Sequence, residues 1–322
     1  MNSATEAAMQ FDGSTQIVNA SSITVSYNAR DSIKRQIDIL RAETPHLAQI
    51  IVVDNASTDG TAEMLSNEYP SVILLRMNEN IGVGGAYCAG IRHAVVEQTC
   101  QWVWILDQDS SPGPNTLFEL FRALQADTEP ETIGVLAPLP KNPQTGASYG
   151  GVLWRNHKLV EAEAQDANIA FVDGVISSGS LIRVSAILKA GLPREDFFMD
   201  YVDFEHCLRI RRQGFRIGIV PSSNMSHSIG QPLVVTEFGH SRVRAVHPPW
   251  REYYKTRNFC FAVLEQSAHP SAKLFILRKF IRHACGVLLY DFKKIQRLGF
   301  MIMGLVDGWR GRLGIRVPPQ RN

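Results

Sequence analysis

Residues Gln101–Pro112 read QWVWILDQDSSP. An apolar run with two tryptophans stops on two aspartates, Asp107 and Asp109, one residue apart. A short run that is apolar at every position reads as a strand covered on both faces, because a strand with one wet face would alternate. Residues i and i+2 of an extended chain project to the same side. Asp107 and Asp109 therefore converge if the strand continues that far, and two carboxylates so close repel unless a counter-ion sits between them. An oxygen-only site of this kind suits Mg2+ or Mn2+. A plain turn, with Asp109-Ser110 capping the helix NTLFELFRAL, explains the same letters.

Upstream the pattern repeats. SITVSYN (22–28), QIIVVDNASTDGT (49–61) and SVILLRMNEN (71–80) read as three more buried strands. Between the strands lie DSIKRQIDILRAE, with Ile33, Ile37 and Leu40 at helical spacing and Asp31 or Ser32 as N-cap, then TAEMLSNEY and IGVGGAYCAGIRHAVVEQ. Apolar strands alternating with helices predict an α/β fold, a Rossmann-like and mostly parallel sheet flanked by helices. In such sheets ligands bind beyond the carboxyl ends of the strands. Those ends carry Asn28, Asp54, Asn80, Asp107 and Asp109, which makes one polar rim. Asp54 can accept a bond from a base N–H or a ribose hydroxyl, or it can cap its own turn in DNASTDG. Gly82, Gly84 and Gly85 would let backbone approach a ligand closely. They match neither the dinucleotide fingerprint nor a Walker loop.

The second half is less regular. APLPKNPQTGASYGG (137–151) reads as a loop, and VDGVISSGSLIRVSAILKAG (172–191) as a turn, a short strand and a helix. FFMDYVDFEHCLRIRRQG (197–214) places Asp200, Asp203 and Glu205 within six residues at the start of a helix. Acids in a first turn favour the helix dipole, which accounts for one or two of the three. Phe197 and Phe198 beside them suggest an apolar wall, which raises a carboxylate's proton affinity and suits a general base. His227 ends the following strand, as an ordinary polar residue or a metal ligand. In HPPWREYYKTRNFC (247–260) the aromatics suit sugars and the arginines suit phosphate, Arg257 foremost; an amphipathic helix turning its aromatics inward reads equally well.

The 322 residues are 45% hydrophobic, enough for one large domain or two modest ones, and the formal charge of +2 is too mild to point to nucleic acid. Residues 270–322, however, hold eleven Lys/Arg against two acids, interspersed with apolar clusters. Such a tail can lie on anionic lipid or be the wet face of packed helices. Its longest greasy run, GFMIMGLV, is far short of a membrane span. Five cysteines without a CxxC pair favour a reducing compartment, and MNSATEAAMQFDGSTQ lacks the marks of a signal peptide, so the expected location is cytoplasmic.

In order, TVSYNARDSI, IIVVDNASTDGT, NENIGVGGAYCAGI, WVWILDQDS, SSGSLI and FFMDYVDFEHCLRIRRQGF resemble the family 2 inverting glycosyltransferases of GT-A fold. The likeness is nearest to the bacterial rhamnosyltransferase branch that builds O-antigen and related cell-envelope polysaccharides. It implies a leader (1–21), a GT-A catalytic domain (22–260) with a nucleotide half (22–116) and an acceptor half (117–260), and a helical basic extension (261–322). It further implies that Val25, Ser26, Asn28 and Asp54 line the base and ribose pocket, with Asn80, Gly82–Gly85 and Gln108 bordering the nucleotide. Asp107 and Asp109 would be the family's D-x-D, Asp109 on the metal and Asp107 near ribose and metal, and His227 would complete the metal shell. Asp203 would be the catalytic base, with Gly179, Asp200, Glu205 and Trp250 toward the acceptor and Arg257 on the diphosphate.

Two departures stand out: Cys88 occupies a position where asparagine is common, and Asp200 one where relatives are apolar. The implied donor is a nucleotide-sugar, dTDP-L-rhamnose, and the implied acceptor a glycan or lipid-linked glycan. Contact with the cytoplasmic face of the inner membrane and homo-oligomerisation stay open. Three rivals fit less well. A haloacid dehalogenase-type phosphatase carries its D-x-D on the first strand. A nucleotidyltransferase would want a basic glycine loop where VSYNARDS stands. A non-catalytic sugar-binding module would be expected to lose the base.

Overall fold

The computed structural model describes residues 19–42, 47–97, 100–143, 146, 148, 150–162, 167–226, 231–237 and 240–319. In chain order the elements of the first half are β1 (Ala20–Ser26), α1 (Arg30–Ala42), β2 (Leu47–Asp54), α2 (Thr61–Glu68), β3 (Ile73–Arg76), α3 (Gly82–Val96), β4 (Trp102–Asp107), β5 (Ser111–Pro112) and α4 (Thr116–Gln125). The second half continues with β6 (Ile133–Lys141), β7 (Val152–Arg155), β8 (Lys158–Glu161), β9 (Ala170–Val172), β10 (Leu181–Arg183), α5 (Val184–Ala190), α6 (Val202–Arg212) and β11 (Arg216–Ser226). A hairpin of β12 (Gln231–Glu237) and β13 (His240–Val246) precedes three helices, α7 (Arg251–Gln266), α8 (Pro270–Tyr290) and α9 (Lys294–Trp309).

One nine-stranded sheet runs in the order β3-β2-β1-β4-β10-β6-β11-β5, with β9 also paired to β11. The β3-β2-β1-β4 block is parallel, and so is β6 with β11. Short β10 lies between the two blocks, antiparallel to both β4 and β6. The apolar run of β4 has a simple cause. Val103 and Ile105 face a core shared with Ala86 and Ile91 of α3 and Ala186 of α5. Trp102, Trp104 and Leu106 face the other way, onto Leu117, Leu120 and Leu124 of α4. Each such buried side chain stabilises the fold by roughly 1.5–3 kcal/mol.

Several expectations need correction. Residues 137–141 are strand rather than loop, because β6 runs through Pro138 and Pro140 to Lys141. Both prolines lie beyond Leu136, the last β6 residue that β10 pairs, so a missing N–H interrupts no ladder on that edge. Residues 1–18 of the expected leader lie outside the described residues, and β1 already begins at Ala20. The expected boundaries at 116/117 and 260/261 fall inside α4 and α7.

The last helix packs on α7. A Cβ at Gly304 or Gly308 of α9 would overlap the carbonyl oxygens of Tyr253 or Arg257 on α7, so the two glycines allow close backbone contact between these helices. Among the described residues no helix is long and apolar enough to cross a membrane.

Candidate active site

The carboxyl ends of β1, β2 and β4 open onto a cleft of about 610 Å3. Val25, Tyr27, Asn55, Asn80, Gly82 and Tyr87 line one side, and Asp107, Gln108 and Asp109 lie on its rim. The opposite wall comes from residues 198–204 and from Trp250, Arg251 and Lys255 at the start of α7.

The D-x-D turn is held from beneath. Buried Gln36 of α1 donates to the carbonyls of Asp107 (2.7 Å) and Ser110 (3.0 Å), and its own oxygen accepts from the Thr24 hydroxyl at 2.9 Å. The Tyr27 amide donates to Gln108 Oε1 at 2.7 Å, and the Tyr87 hydroxyl donates to Asp107 Oδ1. Burial, then the Asp107 charge, push the Tyr87 phenol well above its ordinary value, so it stays a donor. Gln36, Tyr27, Asn55 and Tyr87 do not stand out in the sequence, because a helical glutamine, a turn asparagine or a tyrosine carries no signal without its partner.

Asp54 is buried; its Oδ2 accepts from the Ser57 amide at 3.3 Å, and among the described residues its Oδ1 has no partner. The neighbouring Ser26 hydroxyl is likewise buried and unpartnered. Neither residue lines the cleft. Asn28, at φ 50°, holds the 57–59 turn by accepting from the Thr58 amide at 2.8 Å. Asn80 Oδ1 accepts from Asn55 and from the Gly82 amide, which fixes the start of α3.

The glycines open the helix itself rather than forming a loop. A Cβ at Gly82 (φ 78°) would overlap the Phe198 carbonyl, and one at Gly84 the Arg194 carbonyl. The close approach they allow is to the 194–198 backbone of this chain, while Gly82 also lines the cleft. Gly85 is buried against Ile81.

Asp203 opens α6 and lines the cleft. Its Oδ2 accepts from the Ser177 amide at 3.1 Å and its Oδ1 from the Phe204 amide at 2.8 Å. Burial lifts its carboxyl to about 6; the two amides oppose the lift and the charges of Asp107 and Asp200 reinforce it. The turn ahead of it is strained, with Phe198, Asp200 and Tyr201 at φ of 64°, 57° and 63°. It is over-determined from α7. Asn258 Nδ2 donates to the carbonyls of Phe197 (3.0 Å), Met199 (2.6 Å) and Asp200 (2.9 Å). The Arg257 guanidinium donates to those of Asp196 (3.0 Å), Phe197 (2.9 Å) and Gly314 (2.5 Å).

Of the expected site residues, Ser26, Asn28, Asp54 and Gly85 adjoin the cleft in sequence without lining it, and Arg257, Glu205 and Gly179 are placed elsewhere. Arg257 is fully buried and held by backbone carbonyls, which corrects its assignment to a diphosphate. Glu205 is turned about 200° from Asp203 around the helix; it is buried on Arg209 (2.5 Å) and does not line the cleft. Gly179, at φ 81°, packs on Pro138 and Met225 and accepts the Trp104 indole at 3.0 Å. Asp200 and Trp250 line the cleft, and the indole nitrogen of Trp250 is buried without a partner among the described residues.

The donor set for a cation is two carboxylates, Asp107 and Asp109, on one rim. His227, the expected third ligand, lies outside the described residues. Among the described residues no group of three His, Cys, Asp or Glu side chains is gathered for a metal ion. Two carboxylates fit a hard divalent ion whose remaining positions are filled by substrate phosphate and water.

A parallel block, a reversed strand and an acid-ended β4 on a shared cleft define the GT-A class of sugar-transferring fold. The model of glycosyl transferase family 2 matches residues 21–181, half of the chain, and the protein belongs to that family of enzymes. It is 25% identical over 301 residues to the dTDP-rhamnosyl transferase RfbF of Shigella flexneri, covering 92% of this chain and 97% of that one. It is 26% identical over 235 residues to the N-acetylglucosaminyl-diphospho-decaprenol L-rhamnosyltransferase of Mycobacterium tuberculosis, covering 64% and 74%. The fold is similar to that of the mannosyltransferase PcManGT from Pyrobaculum calidifontis, solved with GDP-Man and Mn2+ (TM-score 0.55, 17% identity, 90% of this chain and 87% of that one).

Proposed function

We propose that this glycosyltransferase moves L-rhamnose from dTDP-L-rhamnose to a hydroxyl of a glycan or lipid-linked glycan, in one inverting displacement. The observation that carries the reading is Asp203, a buried carboxyl with its acidity lowered to about 6, in the same cleft as Asp107 and Asp109. A base poised just below neutral pH is charged at working pH yet retains affinity for a proton. The rhamnosyl donor is supported by the names of the two relatives above.

The nucleotide rests against Val25, Asn55 and Asn80, with Ser26 and Asp54 buried at the adjoining strand ends. Asp107 and Asp109 would hold a divalent cation, Mg2+ or Mn2+, which when bound neutralises charge on the departing nucleoside diphosphate. Asp203 takes the proton of the acceptor hydroxyl while that oxygen bonds to the anomeric carbon. The bond from that carbon to the diphosphate oxygen breaks, and its electron pair leaves with the nucleotide. Trp250 offers its ring and its indole N–H to the acceptor sugar.

The test is a panel of nucleotide-sugars scored by thermal shift with Mn2+ and by nucleotide release with a glycan acceptor. The largest shift and turnover are expected with dTDP-L-rhamnose, and nucleotide release is lost in Asp203→Asn. A different best donor would replace the rhamnosyl assignment, and full turnover by Asp203→Asn would remove the assigned base.

A further inference from the structure

Twelve of the seventeen large apolar side chains that are exposed among the described residues belong to the segment after Pro270. The same segment supplies all of the chain's positive excess. The densest part is the tip where α8 turns into α9. Leu289, Phe292 and Ile295 are 64%, 75% and 87% exposed there, with Leu288 beside them. Lys293 and Lys294 stand between them, both exposed. Only three residues separate the helices, so they run antiparallel. Their far ends meet where the Lys273 ammonium lies over the Trp309 ring, 5.8 Å from its centroid.

The tip is fixed in place. Arg297 donates to the Phe292 carbonyl (3.2 Å), to Glu252 (3.1 Å) and to the His247 carbonyl. Glu252 also pairs with His283 of α8 at 2.7 Å. Burial pushes the Glu252 carboxyl up, but the His283 bond and the charges of Lys255 and Arg297 hold it at about 2, so it remains an anion. Glu252 directly follows Arg251, which lines the cleft. The tip therefore sits beside the cleft on the α7 side.

We propose that the α8–α9 tip inserts Leu289, Phe292 and Ile295 into the headgroup region of an anionic lipid bilayer, with Lys293 and Lys294 on the lipid phosphates, and so docks the cleft wall formed by α7 beside the membrane. Apolar rings flanked by lysines match a surface that is greasy beneath and negative above. A second copy of the chain matches less well, since a two-fold contact through the tip would bring Lys293 and Lys294 against themselves. Lipid binding of this kind goes beyond the assignment of donor and acceptor and stands whichever sugar is moved.

The test is flotation of the full chain with vesicles of phosphatidylcholine alone or with 30% phosphatidylglycerol. Wild type is expected to float with the anionic vesicles and to bind neutral ones at least tenfold more weakly. Lys293→Gln with Lys294→Gln lowers the anionic partition about thirtyfold, from roughly a factor of five per basic residue. Phe292→Ser with Ile295→Ser weakens binding to both vesicle types, while nucleotide-sugar thermal shifts stay at wild-type values. Wild type that stays with the protein-only fraction would overturn the proposal. So would a stable dimer, seen by light scattering, that Phe292→Ser with Ile295→Ser dissolves, because the tip would then be an interface between copies.

Discussion

Arg251 and Asp200 meet fork to fork across the cleft wall, Nε to Oδ2 and Nη2 to Oδ1 at 2.9 Å each. The pair neutralises the Asp200 carboxylate three residues before Asp203, whose proton affinity that carboxylate raises. Removing the cation by Arg251→Ala leaves Asp200 uncompensated, and a like charge disfavours ionisation of Asp203 further. The ascending limb of the pH–rate profile is then expected to move to higher pH. Arg251→Lys would restore it only in part, because an ammonium cannot make the two-pronged contact. An unmoved limb in Arg251→Ala would show that the pair does not act on Asp203.

Asp203→Asn separates chemistry from stability. Loss of a general base lowers kcat by about 10²–10⁴-fold, with nucleotide affinity within about twofold of wild type. The carboxyl sits at about 6 in the folded chain against 3.8 in an unperturbed aspartate. Between those values the folded chain holds a proton that the unfolded chain has released, so stability from this group falls as pH rises from about 4 to 6 and stays low above. The asparagine variant should therefore be more stable than wild type at pH 8, by on the order of 3 kcal/mol, and close to it at pH 4. Melting curves at the two pH values read this directly.

Tyr87 bonds Asp107, one of the two carboxylates proposed to hold the cation, without being a ligand itself. Tyr87→Phe should weaken Mn2+ binding in the presence of dTDP by about 10–100-fold, as supporting bonds to ligands commonly do. Asp109→Ala should weaken it more, and titration calorimetry ranks the two. Equal Mn2+ affinity in wild type and Asp109→Ala would refute a cation at this rim.

Arg257 supports the strained turn from a buried position. Arg257→Met removes donors from three carbonyls and is expected to destabilise the fold by about 3–5 kcal/mol. A residue that held the diphosphate would instead change donor affinity at little loss of stability. Denaturant melts together with nucleotide titration of the folded fraction tell the two apart.

The first half of this fold was legible because each strand carries a short apolar run, unbroken in β4, and ends on a polar residue. Asp54, Asp107, Asp109 and Asp203 were legible as candidates, since carboxylates at strand and helix ends beside apolar walls stand out from their neighbours. What stayed hidden depends on partners distant in sequence. Nothing near Arg257 tells that carbonyls some sixty residues away surround it. Gln36 resembles any polar residue on a helix until the D-x-D turn is laid on it. Asp203 and Glu205 look alike as neighbouring acids, and helical geometry alone sends one to the cleft and the other to Arg209. Pro138 and Pro140 argued for a loop because the shortness of β10 could not be read from either strand alone.

The reversed strand has a consequence for how the chain is made. Trp104 of β4 waits for Leu181 of β10, which lies 77 residues later in the chain. At roughly 5–20 residues per second, the ribosome takes about 4–15 s to deliver it. During that interval the middle strand of the future sheet has one edge open, although the β3-β2-β1-β4 block is already synthesised and α4 soon follows to cover Trp102 and Trp104. Closure of the sheet is thus a late event in biosynthesis, and the nascent chain is most exposed to aggregation while residues 108–180 emerge.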